Sequence, residues 1–92
     1  MYPGRNTRLS EESLASATSV APKADLVRMT GTTTLATIVP PFAAFSGVLV
    51  IVPTDGNVAT TTTGNIGVAV TMPQNRATVL VFSKVTGLWY SH

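Results

Sequence analysis

Two runs constrain this chain more than anything else in it: Val48-Leu49-Val50-Ile51-Val52 and Val79-Leu80-Val81-Phe82, apolar at every position and largely β-branched. A strand with one wet face alternates apolar and polar residues. These runs do not alternate, so both faces of both strands ask for cover. Ninety-two residues supply few layers, since a domain of this size buries only about 60–65% of the surface its unfolded chain exposes. No cysteine is present to staple the fold or to ligate a metal. The usual remaining support for a small fold is association with its own copies or with a larger partner. Val48, Val50, Val52, Val79 and Val81 are therefore the expected oligomer interface. The other way to bury them is a tight barrel whose outer face is covered by the N-terminal arm.

From Asp25 onward the chain reads as strands. "DLVRMT", "TTLATIV", "GVLVIV", "VATTTT", "NIGVAVTM", "ATVLVFS" and "LWYS" are short runs rich in Val, Ile, Thr and aromatic residues. Turn signals separate them at Gly31, Pro40-Pro41, Asp55-Gly56, Gly64-Asn65, Pro73-Gln74-Asn75 and Thr86-Gly87. A turn roughly every 10 residues is the mark of a sandwich or barrel. The fold class expected is all-β, a small antiparallel β-sandwich or barrel knob over residues 25–92 with an extended N-terminal arm over residues 1–24. Within the arm, Ser10 followed by Glu11 and Glu12 reads as the capped start of a short helix over residues 10–17. Leu9 and Leu14 have the spacing of a hydrophobic staple on that helix. On this reading the knob folds without the arm.

Charged residues are 11% of the chain, less than half the ~25% of an average domain. Seven of the ten charges (Arg5, Arg8, Glu11, Glu12, Lys23, Asp25 and Arg28) lie in the first 28 residues. The stretch "PTDGNVATTTTGNI" shows water many hydroxyls and one carboxylate, so much of the knob is expected to be held against other protein. A formal net charge of +2 scattered over lysines and arginines makes no stripe that tracks phosphates, which argues against nucleic acid as a partner. No run reaches the ~20 apolar residues that span a bilayer, so no membrane partner is expected. "MYPGRNTRLSEESL" has no apolar core of a secretory signal, and this with the lack of cysteine fits synthesis in a reducing cytoplasm.

Little in the chain suggests chemistry. The only histidine is His92, the last residue, and no metal site or hydrolytic base assembles around it. Asp55 reads as a turn residue and Asp25 as the start of a strand. Neither Gly64-Asn65 nor Gly31-Thr32-Thr33-Thr34 is a phosphate loop. No catalytic residue, metal or cofactor is expected, and the chain does not read as an enzyme. Trp89 and Tyr90 are the candidate ligand-contacting aromatics, since such a pair stacks on a sugar ring as readily as it seals a core.

Residues 31 to 92 also carry an ordered series of short motifs: "TTTLATIVPPFAAFSG", "VLVIVPTDG", "TTTTGNI" and "TGLWYSH". The series resembles a small β-module found in virion proteins of tailed bacteriophages, with Thr54 inserted between Pro53 and Asp55 and Ala44 in place of a glycine before Phe45. The resemblance implies a capsid decoration, or cement, protein on the outer surface of the phage head, made in the host cytoplasm. Its expected partners are the major capsid protein, gripped at capsomer junctions, and its own copies in a homotrimer. The arm residues Tyr2, Arg5, Arg8, Leu9 and Leu14 are the expected capsid-docking set. The same modules end tail fibres, so the alternative is a trimeric tail-fibre tip or receptor-binding module whose Trp89, Tyr90 and Thr-rich loops touch host glycans. An ordinary β-domain unrelated to phage is the third reading.

Overall fold

A computed structural model of the chain describes residues 10–42 and 45–91. Nine strands form it: β1 (Glu11–Ala15), β2 (Ser19–Val20), β3 (Leu26–Thr30), β4 (Thr37–Ile38), β5 (Gly47–Pro53), β6 (Val58–Ala59), β7 (Thr71–Met72), β8 (Thr78–Ser83) and β9 (Leu88–Ser91). The class is all-β, as expected. The strand directions, however, are mixed. One wall is a five-stranded sheet in the order β1-β3-β5-β8-β9, in which β1, β3 and β5 run parallel and β8 and β9 return antiparallel. The second wall holds the parallel pair β2-β4 and the antiparallel pair β6-β7.

This arrangement follows from how parallel neighbours must be connected. Parallel strands need a crossover that leaves the sheet and returns, usually a helix. Here β2 and β4 are the crossovers. The chain passes from β1 across to β2, back to β3, across to β4 and back to β5, so the first half winds in coils rather than hairpins. Leu35 extends the second wall by a parallel bridge to Thr60, with its N–H donated to the Ala59 carbonyl at 2.9 Å. The least extent of the molecule is 21 Å, which suits two β-layers about 10 Å apart with their side chains.

The core lies between the walls. Val27 and Met29 of β3, Leu49 and Ile51 of β5, Leu80 and Phe82 of β8 and Trp89 of β9 face inward from the large sheet. Val20, Leu35, Ile38, Val58, Ile66 and Met72 meet them from the second wall. The uninterrupted apolar runs of β5 and β8 thus divide by period two, with Leu49, Ile51, Leu80 and Phe82 inside and the valines outside.

Three further expectations change. The helix over residues 10–17 is absent: Glu11–Ala15 is β1, paired residue for residue with β3 from Glu11↔Leu26 to Ala15↔Thr30. The helix-start pattern was genuine but local, and a ladder of five residues against β3 outweighs it, since capping contributes only about 1 kcal/mol. The arm over residues 1–24 therefore does not end at residue 24. From Ser10 onward it is built into both walls, with Val20 and Pro22 buried. Third, "VATTTT" is strand only as far as Ala59, with Thr60 in a bridge and Thr62-Thr63 in a turn.

Candidate functional site

The outward side of the large sheet gathers three of the seven exposed large hydrophobic side chains among the described residues. Val48, Val50 and Val52 project from β5 and Val79 and Val81 from β8, all on the side away from the core. Val48, Val79 and Val81 are 51%, 44% and 45% exposed, unlike the inward Leu49, Ile51 and Leu80 between them, which are buried. Strand register orders these side chains in rows. Leu26, Val50 and Val79 lie side by side across β3, β5 and β8. Val48, Val81 and Tyr90 do the same across β5, β8 and β9. All five valines expected at an interface are thus on one face. The described part of the arm does not cover that face, because β1 continues the sheet sideways instead.

The rim of this face is polar on both sides. Arg28 of β3 donates from Nε to Glu11 Oε2 of β1 at 2.6 Å, an exposed ion pair beside Leu26 and Val52. On the other side the Tyr90 hydroxyl donates to Thr86 Oγ1 at 2.9 Å. Between β8 and β9 a groove of about 610 Å³ is lined by Ala77, Thr78, Val79, Val81, Tyr90 and Ser91. The Ser91 hydroxyl is shielded from solvent with no partner among the described residues.

Trp89 and Tyr90 part company here, because successive residues of a strand face opposite sides. Trp89 is 1% exposed, packs on Phe82 with centroids 5.0 Å apart, and donates Nε1–H to the Ile38 carbonyl at 2.9 Å. Its place is in the core rather than beside Tyr90 on an outer surface, where only Tyr90 remains. Leu14, expected to dock on a capsid, packs instead against the core from β1. Tyr2, Arg5, Arg8, Leu9 and His92 lie outside the described residues.

A second apolar region lies at the turn after β4. Phe42, 64% exposed, meets the edge of Phe45 with centroids 5.3 Å apart, and Phe45 stacks on Phe82 at 6.0 Å. A cavity of about 220 Å³ opens there, between Phe42, Phe45, Pro41 and the Lys23–Asp25 turn. That is smaller than the ~300–1,000 Å³ of sites that enclose small-molecule ligands, and it suits a single side chain or ring. Pro-Pro-Phe was legible as a turn; its exposed aromatic could have been inferred from two prolines that keep Phe42 out of a strand.

No charged cluster sits at either surface. Among the described residues no three of His, Cys, Asp and Glu come together as a metal site would require. Two of the carboxylates, Glu12 and Asp55, serve the backbone. Glu12 accepts the N–H groups of Lys23 and Ala24, Asp55 that of Gly31 at 2.8 Å, and Asp25 N–H is donated to Ser10 Oγ at 3.1 Å. What these surfaces offer is contact area, hydroxyls and aromatic edges.

No family model matches the chain, and no curated protein matches it. Among solved structures the chain is similar to part of a chaperone-substrate complex, with a TM-score of 0.49 and 11% identity. That likeness covers 95% of this chain and 14% of the other.

Proposed function

We infer that this chain is a structural component of a bacteriophage particle: a decoration, or cement, protein on the head rather than an enzyme. The observation that carries the reading is the make-up of the surface. Seven large hydrophobic side chains are exposed among the described residues, against eight charged residues there in all. Such a surface suits a protein kept among protein neighbours. The motif series from Thr32 to His92 supports the particle setting by resemblance.

In this reading the mechanism is mass action. A protein that binds an assembled shell and not its separated subunits stabilises the shell by the free energy of binding, summed over every copy. The major capsid protein is the partner. The docking segment is residues 1–9 with Tyr2, Arg5, Arg8 and Leu9, joined by Phe42 and its cavity at the turn after β4. Leu14 no longer belongs to that set, because the core uses it. Sedimentation of the chain with isolated, unfilled phage shells tests the proposal. Bound copies comparable in number to the major capsid protein are expected. Absence of binding, or a few copies at one vertex, overturns it.

The groove beside Tyr90 favours a second reading, a tail-fibre tip that binds glycans. The half-buried Tyr90 ring, on the outward face and lining that groove, is a group on which a sugar stacks. A glycan array separates the two, and in this reading Tyr90→Ala abolishes binding while the fold survives.

A further inference from the structure

We propose that the outward face of the five-stranded sheet is covered by another copy of this chain, packed sheet against sheet. The inference goes beyond the decoration reading and does not depend on it. Its ground is the geometry of the face.

The first argument is size. Five strands about 4.8 Å apart and four to seven residues long at about 3.3 Å each present about 400 Å² to a flat partner. Side-chain relief raises the accessible area, so two such faces bury about 1,000 Å² together, the least that a specific interface uses. The face is thus enough for a copy of itself and leaves no part idle. Its centre is apolar and its rim polar, as interfaces are built.

The second argument is shape. The row Leu26-Val50-Val79 and the row Val48-Val81-Tyr90 run across the strands as two ridges with a furrow between them. Alternate outward residues of a strand are about 6.6 Å apart, so each furrow accepts one ridge of a like sheet packed about 10 Å away. Valines suit this, having one preferred rotamer and little entropy to lose.

The third argument is charge. Glu11 and Arg28 stand together at one edge, so the face is neutral and carries one group of each sign. The two neutralise each other, so a copy of this face meets no net charge. A strongly charged partner gains nothing from a face whose two charges are already paired. Self-complementarity of this kind is what a two-fold pair requires, because each patch meets itself.

Sedimentation equilibrium of the full chain over a wide concentration range, without any shell present, is the test. The expected mass is a multiple of the 9.6 kDa chain, giving way to the monomer on dilution. Val48→Lys and Val81→Lys place charges on adjacent positions of the face and are expected to weaken association at least a hundredfold. Both positions are about half exposed, so the variants keep their fold, which circular dichroism and a thermal melt verify. Val85→Lys, in the turn after β8 and 87% exposed, is expected to change nothing. A wild-type monomer at all concentrations overturns the proposal, as do lysine variants that associate like wild type. A monomer that sediments with shells also overturns it, while the decoration reading survives. An oligomer that ignores shells supports it and removes the decoration reading.

Discussion

The side-chain amide of Asn65 takes both main-chain groups of Ile38: Oδ1 accepts its N–H at 2.9 Å, and Nδ2 donates to its carbonyl at 2.7 Å. An amide has the same donor and acceptor as a peptide unit, so Asn65 stands where a neighbouring strand would. The same Ile38 carbonyl also accepts from Trp89 Nε1. Asn65 further accepts Trp89 N–H on its own carbonyl at 2.8 Å. One residue thus ties β4 in the second wall to β9 at the edge of the first, and closes one side of the sandwich.

Asn65→Ala is therefore expected to leave the Ile38 N–H buried without a partner. The cost is about 1–3 kcal/mol, seen as a fall in melting temperature of about 4–8 °C for each kcal/mol in a domain of this size. Asn65→Asp keeps the acceptor but sets a carboxylate against the Ile38 carbonyl, and is expected to cost at least as much. If Trp89→Phe and Asn65→Ala are combined, the losses are expected to fall short of additive, because they share one carbonyl. Strict additivity in urea melts counts against the shared closure.

The neighbouring Gly64 is expected to be equally intolerant. A Cβ there meets the Ala36 carbonyl oxygen and the Thr37 hydroxyl at less than contact distance. The backbones of 64 and 36 must approach this closely for Asn65 to reach Ile38. Gly64→Ala is expected to lower the melting temperature by at least as much as Asn65→Ala, and a melt unchanged within 2 °C, under the ~4 °C that 1 kcal/mol moves a small domain, contradicts the close approach.

Much of the large sheet was legible in the sequence, and the reason is visible in Val27 and Met29, Leu49 and Ile51, and Leu80 and Phe82. Strand composition placed β3, β5, β8 and β9, and the unbroken apolar runs singled out an outward face that the described residues leave partly exposed. Strand direction was not legible. Nothing in "DLVRMT" distinguishes a partner running parallel from one running antiparallel. β1 was hidden for another reason: Glu11, Glu12, Ser13 and Ala15 are poor strand formers, and only pairing with β3 makes them a strand. Gly64-Asn65 was legible as a turn, but a contact to Ile38 across the fold leaves no local trace. Trp89 and Tyr90 were read together because they are adjacent, and the strand period separates them.

Glu12 lies on the inward side of β1 yet turns its carboxylate to the backbone of the 23–24 turn. Its Oε2 accepts the Lys23 N–H at 2.5 Å and the Ala24 N–H at 2.9 Å. Glu12→Ala is expected to cost about 1–3 kcal/mol, as lost hydrogen bonds to a charged group do, while Glu12→Gln retains an acceptor and loses less. Amide hydrogen exchange at Ala24 is the direct measurement. Protection that is equal in wild type and Glu12→Ala would show that the carboxylate does not hold the turn.

Gly31 ends β3 with φ of +74°, in the left-handed region, and donates its N–H to Asp55 Oδ2 at 2.8 Å. A Cβ there comes within 2.8 Å of Ser16 Oγ. Gly31→Ala is expected to cost about 1–2 kcal/mol for the backbone conformation alone, with the clash in addition. Asp55→Asn keeps an acceptor and should cost less than Asp55→Ala. A Gly31→Ala variant that melts with wild type excludes the left-handed turn.

The deepest consequence of the topology concerns the N-terminal segment. On composition, residues 1–24 are separable from the knob. In the fold, β1 is an edge of the main sheet with Leu14 against the core, and Val20 of β2 is itself a core residue. Removing residues 1–24 strips a strand from each wall and uncovers Val27, Met29 and Ile38. The hydrophobic loss of two or three such side chains is about 1.5–3 kcal/mol apiece, comparable to the whole stability of a small domain. Deletion of 1–9 is expected to leave a cooperative thermal transition, and deletion of 1–24 to abolish it. Leu14→Lys separates this from mere shortening, since it keeps the chain length and removes one packing contact, and it is expected to destabilise clearly. A folded, cooperative 25–92 fragment would return β1 and β2 to the status of an arm. It would also restore Leu14 as a residue free to dock elsewhere.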